Sequence, residues 1–116
     1  MANEKIYEMK FSKVFPLLIA KAERKGKSKE EVYEITSWLT GYTDIQLDQL
    51  LDSQATYQEF ITQAPEWNAN SELIKGVICG IRVENIEEPI MKKIRQLDKL
   101  IDELAKGKKM EKILRK

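Results

Sequence analysis

The sequence predicts a mainly α protein, a compact helical bundle of five to seven helices in a single domain that spans residues 1–116. The chain has 116 residues, and 42% of them are hydrophobic, which is enough apolar surface for one core. Apolar residues recur at the spacing of a helix face in several segments,. Only five glycines and three prolines occur, and they separate these segments as helix ends and turns do.

The first helix is expected from about Lys13 to Lys25. Ser12 stands where an N-cap would, and Pro16 then falls in the first turn, where proline is tolerated. Gly26 follows a basic last turn and suits a left-handed C-cap,.

The second helix has a capping box at its start, with Ser28 as N-cap and Glu31 at the third helical position,. Its apolar positions recur at helical spacing up to Gly41, which closes the helix,. These positions are Val32, Ile35, Trp38 and Leu39.

Two shorter helices follow. Thr43 or Asp44 caps the first, whose apolar positions are Ile45, Leu47, Leu50 and Leu51,. Thr56 caps the second, which Pro65 ends,. Residues 65–70 are rich in proline and asparagine and are expected to form a loop,.

Residues 71–84 are ambiguous between helix and strand. Ile74, Val77, Ile78 and Ile81 fit a helix face, and a helix capped by Ser71 is favoured,. The segment is also rich in β-branched residues, and two glycines weaken a helix there. The alternative is an α+β fold with a small two-stranded pairing of residues 6–11 and 77–83,.

The strongest helical signal lies in residues 88–106, which are expected to form the central packing helix. Its apolar stripe repeats every three or four residues through two heptads, at Ile90, Ile94, Leu97, Ile101 and Leu104,. Gly107 ends it. Residues 107–116 then form a short basic amphipathic tail, with Met110, Ile113 and Leu114 on one face.

The net charge of +1 conceals a segregation of charge along the chain. Residues 1–27 carry a net charge of +4, residues 28–72 carry −8, and residues 73–116 carry +5. Such blocks indicate self-association, intramolecular complementarity or the choice of a charged partner.

The sequence contains no histidine and one cysteine. These counts exclude histidine-dependent catalytic triads, histidine-bound zinc, cysteine-cluster metal sites and an intramolecular disulfide. Acidic stripes at Glu30, Glu31 and Glu34 and at Asp44, Asp48 and Asp52 are interpreted as solvated helix faces,. We therefore expect no enzyme activity, no cofactor and no metal.

Four residues are candidates for a functional surface or pocket. Trp67 and Asn68 lie in the loop, where an exposed tryptophan would mark a binding site, although packing onto the core is favoured,. Cys79 lies in an apolar run and is expected to be buried, with Arg82 as the nearby charge if the thiol is reactive,.

The chain has no apolar signal-peptide region, no lipidation motif and no apolar run near the ~20 residues of a membrane span,. A cytoplasmic protein with no membrane partner is expected.

The sequence resembles a family of small, uncharacterised bacterial proteins catalogued as a domain of unknown function. The resemblance covers nearly the whole chain and is carried by residues 11–14, 20–26, 38–42, 76–84 and 97–107. It implies a bacterial, single-domain protein and supplies no activity, ligand or site residue.

The favoured function is a non-enzymatic interaction protein that self-associates as a homo-oligomer. A nucleic-acid-associated protein that uses its basic N- and C-terminal segments is the alternative. An enzyme that uses Cys79 or clustered carboxylates is the second alternative.

Overall fold

The computed structural model describes residues 5–115 and confirms the mainly α prediction. Its radius of gyration is 13.1 Å, as in other compact domains of about this length. Within these residues there are seven α-helices: α1 (Lys5–Glu8), α2 (Phe11–Glu23), α3 (Lys29–Thr40), α4 (Asp44–Leu51), α5 (Tyr57–Thr62), α6 (Pro89–Ala105) and α7 (Met110–Ile113). Short 3₁₀ helices occupy Ala69–Leu73 and Val83–Asn85.

The segment from 71 to 84 does not form the predicted helix. It contains an antiparallel hairpin of β1 (Val77–Ile78) and β2 (Ile81–Arg82). Cys79 and Gly80 form its two-residue turn with φ angles of 54° and 79°. Two central residues with positive φ define a type I′ turn, whose twist matches that of the strands. The β-branched residues Val77, Ile78 and Ile81 therefore lie in the strands, and Gly80 provides one of the two positive φ angles of the turn.

The alternative pairing of residues 6–11 with 77–83 is also wrong. The hairpin pairs within itself, Val77 with Arg82 and Ile78 with Ile81. Residues 6–11 belong mostly to α1 and the start of α2, and Lys10 instead forms an isolated bridge with Thr56.

Helix α2 begins at Phe11, two residues before the predicted start. Ser12 is therefore inside the helix, and Lys10 occupies the N-cap position without a side-chain hydrogen bond. Phe11 is fully buried, and its backbone N–H donates to the Ala55 carbonyl over 2.9 Å. Tertiary packing thus fixes this helix start, and Pro16 lies inside the helix beyond its first turn.

The predicted N-caps of α3, α4 and α5 are confirmed. Ser28, Thr43 and Thr56 each accept a hydrogen bond from the backbone N–H three residues later. The side chains at those later positions accept in return from the N-cap backbone, which completes three capping boxes,. Gly41 ends α3 with a left-handed φ of 83°.

Helix α6 is the central packing element, as predicted for residues 88–106. It contacts α2, α3, α5, α7, the hairpin and the second 3₁₀ helix. Its apolar stripe is buried at Ile94, Leu97, Leu100, Ile101 and Leu104. Glu88 caps the helix by accepting from the backbone N–H groups of Ile90 and Met91.

An aromatic cluster forms another part of the core. Phe11 lies 4.8 Å from Phe15 and 4.5 Å from Phe60, measured between ring centroids. Tyr57 and Tyr42 extend the cluster at 5.3 and 5.4 Å from Phe60. The cluster joins α2 to α5.

The basic tail folds back onto α6 and contains α7. Ile113 and Leu114 are buried, which confirms the predicted apolar face. Arg115 donates two hydrogen bonds to the carboxylate of Glu103, at 2.6 and 2.8 Å. No helix in residues 5–115 is long and apolar enough to cross a membrane.

Candidate interaction surface

The loop of residues 65–70 is fixed to the C-terminal turn of α3. The Glu66 N–H donates to the Thr40 carbonyl over 3.0 Å, and the Asn68 N–H donates to the Leu39 carbonyl over 2.8 Å. The Asn68 side-chain amide also donates to the Trp38 carbonyl over 3.1 Å. These three hydrogen bonds hold the loop in one position against the helix.

Gly41 permits this close approach. A Cβ atom at this position would lie 2.8 Å from the Glu66 nitrogen and 3.0 Å from the Glu66 oxygen. The residue that ends α3 therefore also sets the distance between the helix and the loop.

A cleft of about 530 Å³ lies beside this contact and is lined by Trp38, Gly41, Pro65, Glu66, Asn68 and Ala69. Trp38 was expected in the core, but it is half-buried, packing against the core while lining the cleft. Its indole N–H donates to no acceptor within residues 5–115. Glu66 is exposed and forms no ion pair in the same part of the chain. We call this feature the Trp38 cleft.

Trp67, the next residue of the loop, points to the other side and is half-buried against α6. Its indole N–H donates to Gln96 Oε1 over 3.0 Å, and the Lys93 ammonium lies 5.1 Å from the ring centroid. Gln96 is itself buried and donates to the Ser71 carbonyl. The ring and the N–H of Trp67 are thus both satisfied within the protein.

Cys79 is exposed at the tip of the hairpin, so the prediction of a buried thiol is wrong. The turn projects the residue away from the apolar run in which the sequence places it. Arg82 lies next to Glu84, with its Nη1 3.3 Å from Glu84 Oε2. The cation nearest the thiol comes from α6, where Arg95 Nη1 lies 3.8 Å from Cys79 Sγ.

Arg95 also connects the hairpin to the half-buried carboxylate of Asp98. Its guanidinium lies 3.0 Å from Asp98. Burial raises the pKa of Asp98, although the positive charge of Arg95 opposes that increase. Tyr57 is fully buried nearby in the aromatic cluster, and its hydroxyl has no partner in the described part of the chain.

The four candidate residues therefore form two separate pairs. Trp67 and Asn68 line clefts on either side of the loop, and neither of these clefts includes Cys79 or Arg82. Trp38, Glu66 and Gln96 were not among the candidates. Trp38 has the helical spacing of a core residue, so nothing in the local pattern marks it as half-exposed.

A second surface lies between α3 and α4. The Tyr33 hydroxyl donates to Asp48 over 2.7 Å, and the Ser37 hydroxyl donates to Asp44 over 3.3 Å. Burial raises the pKa of the Tyr33 phenol, and the neighbouring Asp48 raises it further, so the phenol stays protonated and continues to donate,. Ile45 is 70% exposed beside these carboxylates. We call Glu30, Glu34, Asp44, Ile45, Asp48 and Asp52 the acidic surface.

A basic surface lies at the C-terminal turns of α2 and α6. Lys21 and Lys106 both pair with Asp102, at 3.2 and 3.0 Å, so the C-terminal turns of α2 and α6 lie side by side. Further basic residues follow both turns, and within residues 5–115 they form no ion pair. These residues, which we call the basic end, are Arg24, Lys25, Lys27, Lys109 and Lys112.

No group of three or more Asp, Glu or Cys side chains in the described residues comes together in an arrangement that could hold a metal ion.

Residues 5–115 match the family described as an uncharacterized protein conserved in bacteria (DUF2200). The chain belongs to this family. The resemblance that the sequence suggested is thereby confirmed. No curated protein matches the chain.

This member of DUF2200 is also similar to a solved structure, the crystal structure of uncharacterized protein SP1917. The two are 49% identical, and the match covers 96% of this chain and 91% of that one. The TM-score is 0.92. The overall fold of this chain is therefore shared with an experimentally determined structure.

Proposed function

We propose that this protein is a non-enzymatic interaction protein that self-associates head to tail. The acidic surface of one copy contacts the basic end of the next. The observation that carries the proposal is that neither surface forms an ion pair within residues 5–115, although Lys29 lies beside the acidic surface.

Few ion pairs connect the acidic residues of 28–72 with the basic residues that flank them. Only Glu72, which lies 3.9 Å from Lys92, connects the acidic residues of 28–72 with a basic residue elsewhere in the described chain. The remaining described ion pairs of the flanking blocks use acids from residues 73–115, namely Glu84, Asp98, Asp102 and Glu103. Intramolecular complementarity therefore accounts for little of the segregation.

The acidic surface also carries an apolar anchor. Ile45 projects from the first turn of α4, next to Asp44 and one helical turn from Asp48,. Exposed apolar side chains with a charged rim are typical of protein interfaces. A contact between two different surfaces of identical chains is heterologous and builds rings or open chains.

The other two hypotheses have less support. Lys106 at the end of α6 and two residues of the tail, Lys108 and Arg115, pair with Asp102 or Glu103 and are less available to a nucleic acid. The hypothesis of a thiol enzyme would use Arg82 beside Cys79, but Arg82 pairs with Glu84. Arg95 lies 3.8 Å from the thiol instead, and its charge is paired with Asp98. We place the interaction in the cytoplasm, where an exposed, unpaired cysteine persists as a thiol.

The proposal is tested by exchanging the charges of the two surfaces. One variant carries Asp44→Lys and Asp48→Lys, and the other carries Lys109→Glu and Lys112→Glu. Neither variant should associate alone, because one of its two surfaces has lost most of its net charge while the other is unaltered. An equimolar mixture should form a one-to-one complex through the two unaltered surfaces.

Sedimentation velocity measures these outcomes, and circular dichroism verifies that each variant folds. The unaltered protein should associate at about 0.01 M salt and dissociate at about 1 M, where charges are screened within about 3 Å. A monomer at every salt and protein concentration, or a mixture that fails to form a complex, would contradict the proposal.

A further inference from the structure

We propose that the Trp38 cleft binds an arginine side chain from a partner polypeptide. This inference concerns residues other than those of the proposed self-association and does not depend on it. The binding groups are the Trp38 indole and the Glu66 carboxylate.

The chemistry of the cleft favours a cation. Glu66 is the charged side chain of its lining, and the lining contains no basic residue. An anion would be repelled by this carboxylate, whereas a cation would be paired with it and would also contact the electron-rich face of an indole. A planar guanidinium stacks on aromatic rings and donates paired hydrogen bonds to carboxylates, so arginine suits the cleft better than lysine.

Trp67, the tryptophan of the loop, already contacts a cation and an acceptor within the protein. Trp67 has the Lys93 ammonium 5.1 Å from its ring centroid and donates its N–H to Gln96. Trp38 has neither partner in residues 5–115. Its N–H is therefore available to a backbone carbonyl of the bound segment, which indicates a peptide ligand rather than a free cation.

The cleft is held in shape before any ligand arrives. Three hydrogen bonds from Glu66 and Asn68 to the end of α3 fix the loop, and Gly41 sets its distance from the helix. The volume of about 530 Å³ is within the range of binding pockets for small ligands, which is about 300–1,000 Å³,. Such preorganisation lowers the entropy lost on binding.

The two indole N–H signals in a nitrogen-15 NMR spectrum test this inference within one protein. The probe is the blocked peptide acetyl-Gly-Arg-Gly-amide, and Trp38→Phe assigns the signals. We expect the Trp38 signal to shift and saturate, while the Trp67 signal, whose N–H is bonded to Gln96, stays in place. The matching peptide with glutamate instead of arginine should move neither signal.

Two matched variants complete the experiment. Glu66→Gln should weaken peptide binding about 2- to 5-fold, the size of one exposed ion pair, while Glu72→Gln in the neighbouring cleft should leave it unchanged. A Trp38 signal that does not respond, equal shifts of both indoles, or full affinity in Glu66→Gln would overturn the inference. Glu66→Gln should not alter sedimentation, so this result and the self-association result are distinguishable.

Discussion

Two residues with left-handed backbone show how single positions shape the surface of this protein. Gly41 has a φ of 83°, and its missing Cβ lets the Glu66 backbone approach the end of α3. Cys79 has a φ of 54° without being glycine, which is uncommon outside Asn and Asp,. Gly41 thus serves the loop contact beside the Trp38 cleft, and Cys79 lies at the exposed tip of a hairpin.

Gly41→Ala should destabilise the protein more than Gly26→Ala. Both positions have left-handed φ angles, 83° and 79°, and an added Cβ costs about 1–2 kcal/mol in that conformation,. Only at Gly41 would the Cβ also meet the Glu66 backbone, which adds about 1–3 kcal/mol of overpacking,. Urea unfolding measures both free energies, and equal losses would contradict this prediction.

At the scale of elements, helix starts in this chain have two different causes. Three helices begin at capping boxes that the sequence displays, as Ser28 and Glu31 do for α3. Helix α2 begins at a buried phenylalanine and has no side-chain cap. Local hydrogen bonds determine the first kind of start, and tertiary packing determines the second.

Ser28→Ala should lower the free energy of unfolding by about 1 kcal/mol, because the Glu31 backbone N–H loses its acceptor,. Ser12→Ala is the matched control. Ser12 lies inside α2 and caps nothing there, so its replacement should change stability by less than about 0.5 kcal/mol,. Thermal unfolding of the two variants compares them directly. If Ser12→Ala proved as costly as Ser28→Ala, the assigned start of α2 would be wrong.

At the scale of the whole molecule, charge is organised separately from the apolar core. Asp102 joins the C-terminal turns of α2 and α6 through Lys21 and Lys106. Burial alone would raise the pKa of Asp102, but the hydrogen bonds and charges of the two lysines outweigh burial and lower it. The basic end therefore lies next to the ion pairs of Asp102, which connect α2 to α6.

This pKa shift predicts how stability depends on pH. The folded-state pKa of Asp102 is below the unfolded value of 3.8, so its contribution is complete above that value and is lost as the pH falls through the folded pKa. Asp102→Asn should therefore be less stable than the unaltered protein near neutral pH, and the difference should shrink below pH 3.8. Urea unfolding at a series of pH values measures this difference in the free energy of unfolding. Asp52→Asn, at an exposed residue without a described ion pair, is the control and should change the free energy of unfolding near neutral pH by less than about 0.5 kcal/mol,.

The sequence by itself determined the helical class, the capping box of α3 and the stripe of α6, because local hydrogen bonds and a period of 3.6 residues suffice for these. Only the tertiary structure decided the hairpin at 77–82, since its residue types fit both helix and strand until the positive φ of Cys79 and Gly80 is known. The Trp38 cleft also depends on the tertiary structure, because Gly41 and Glu66 are far apart in the sequence and come into contact only in the folded chain. The charge blocks were visible in the sequence, but which of their side chains form ion pairs within residues 5–115 depends on the groups that folding brings together.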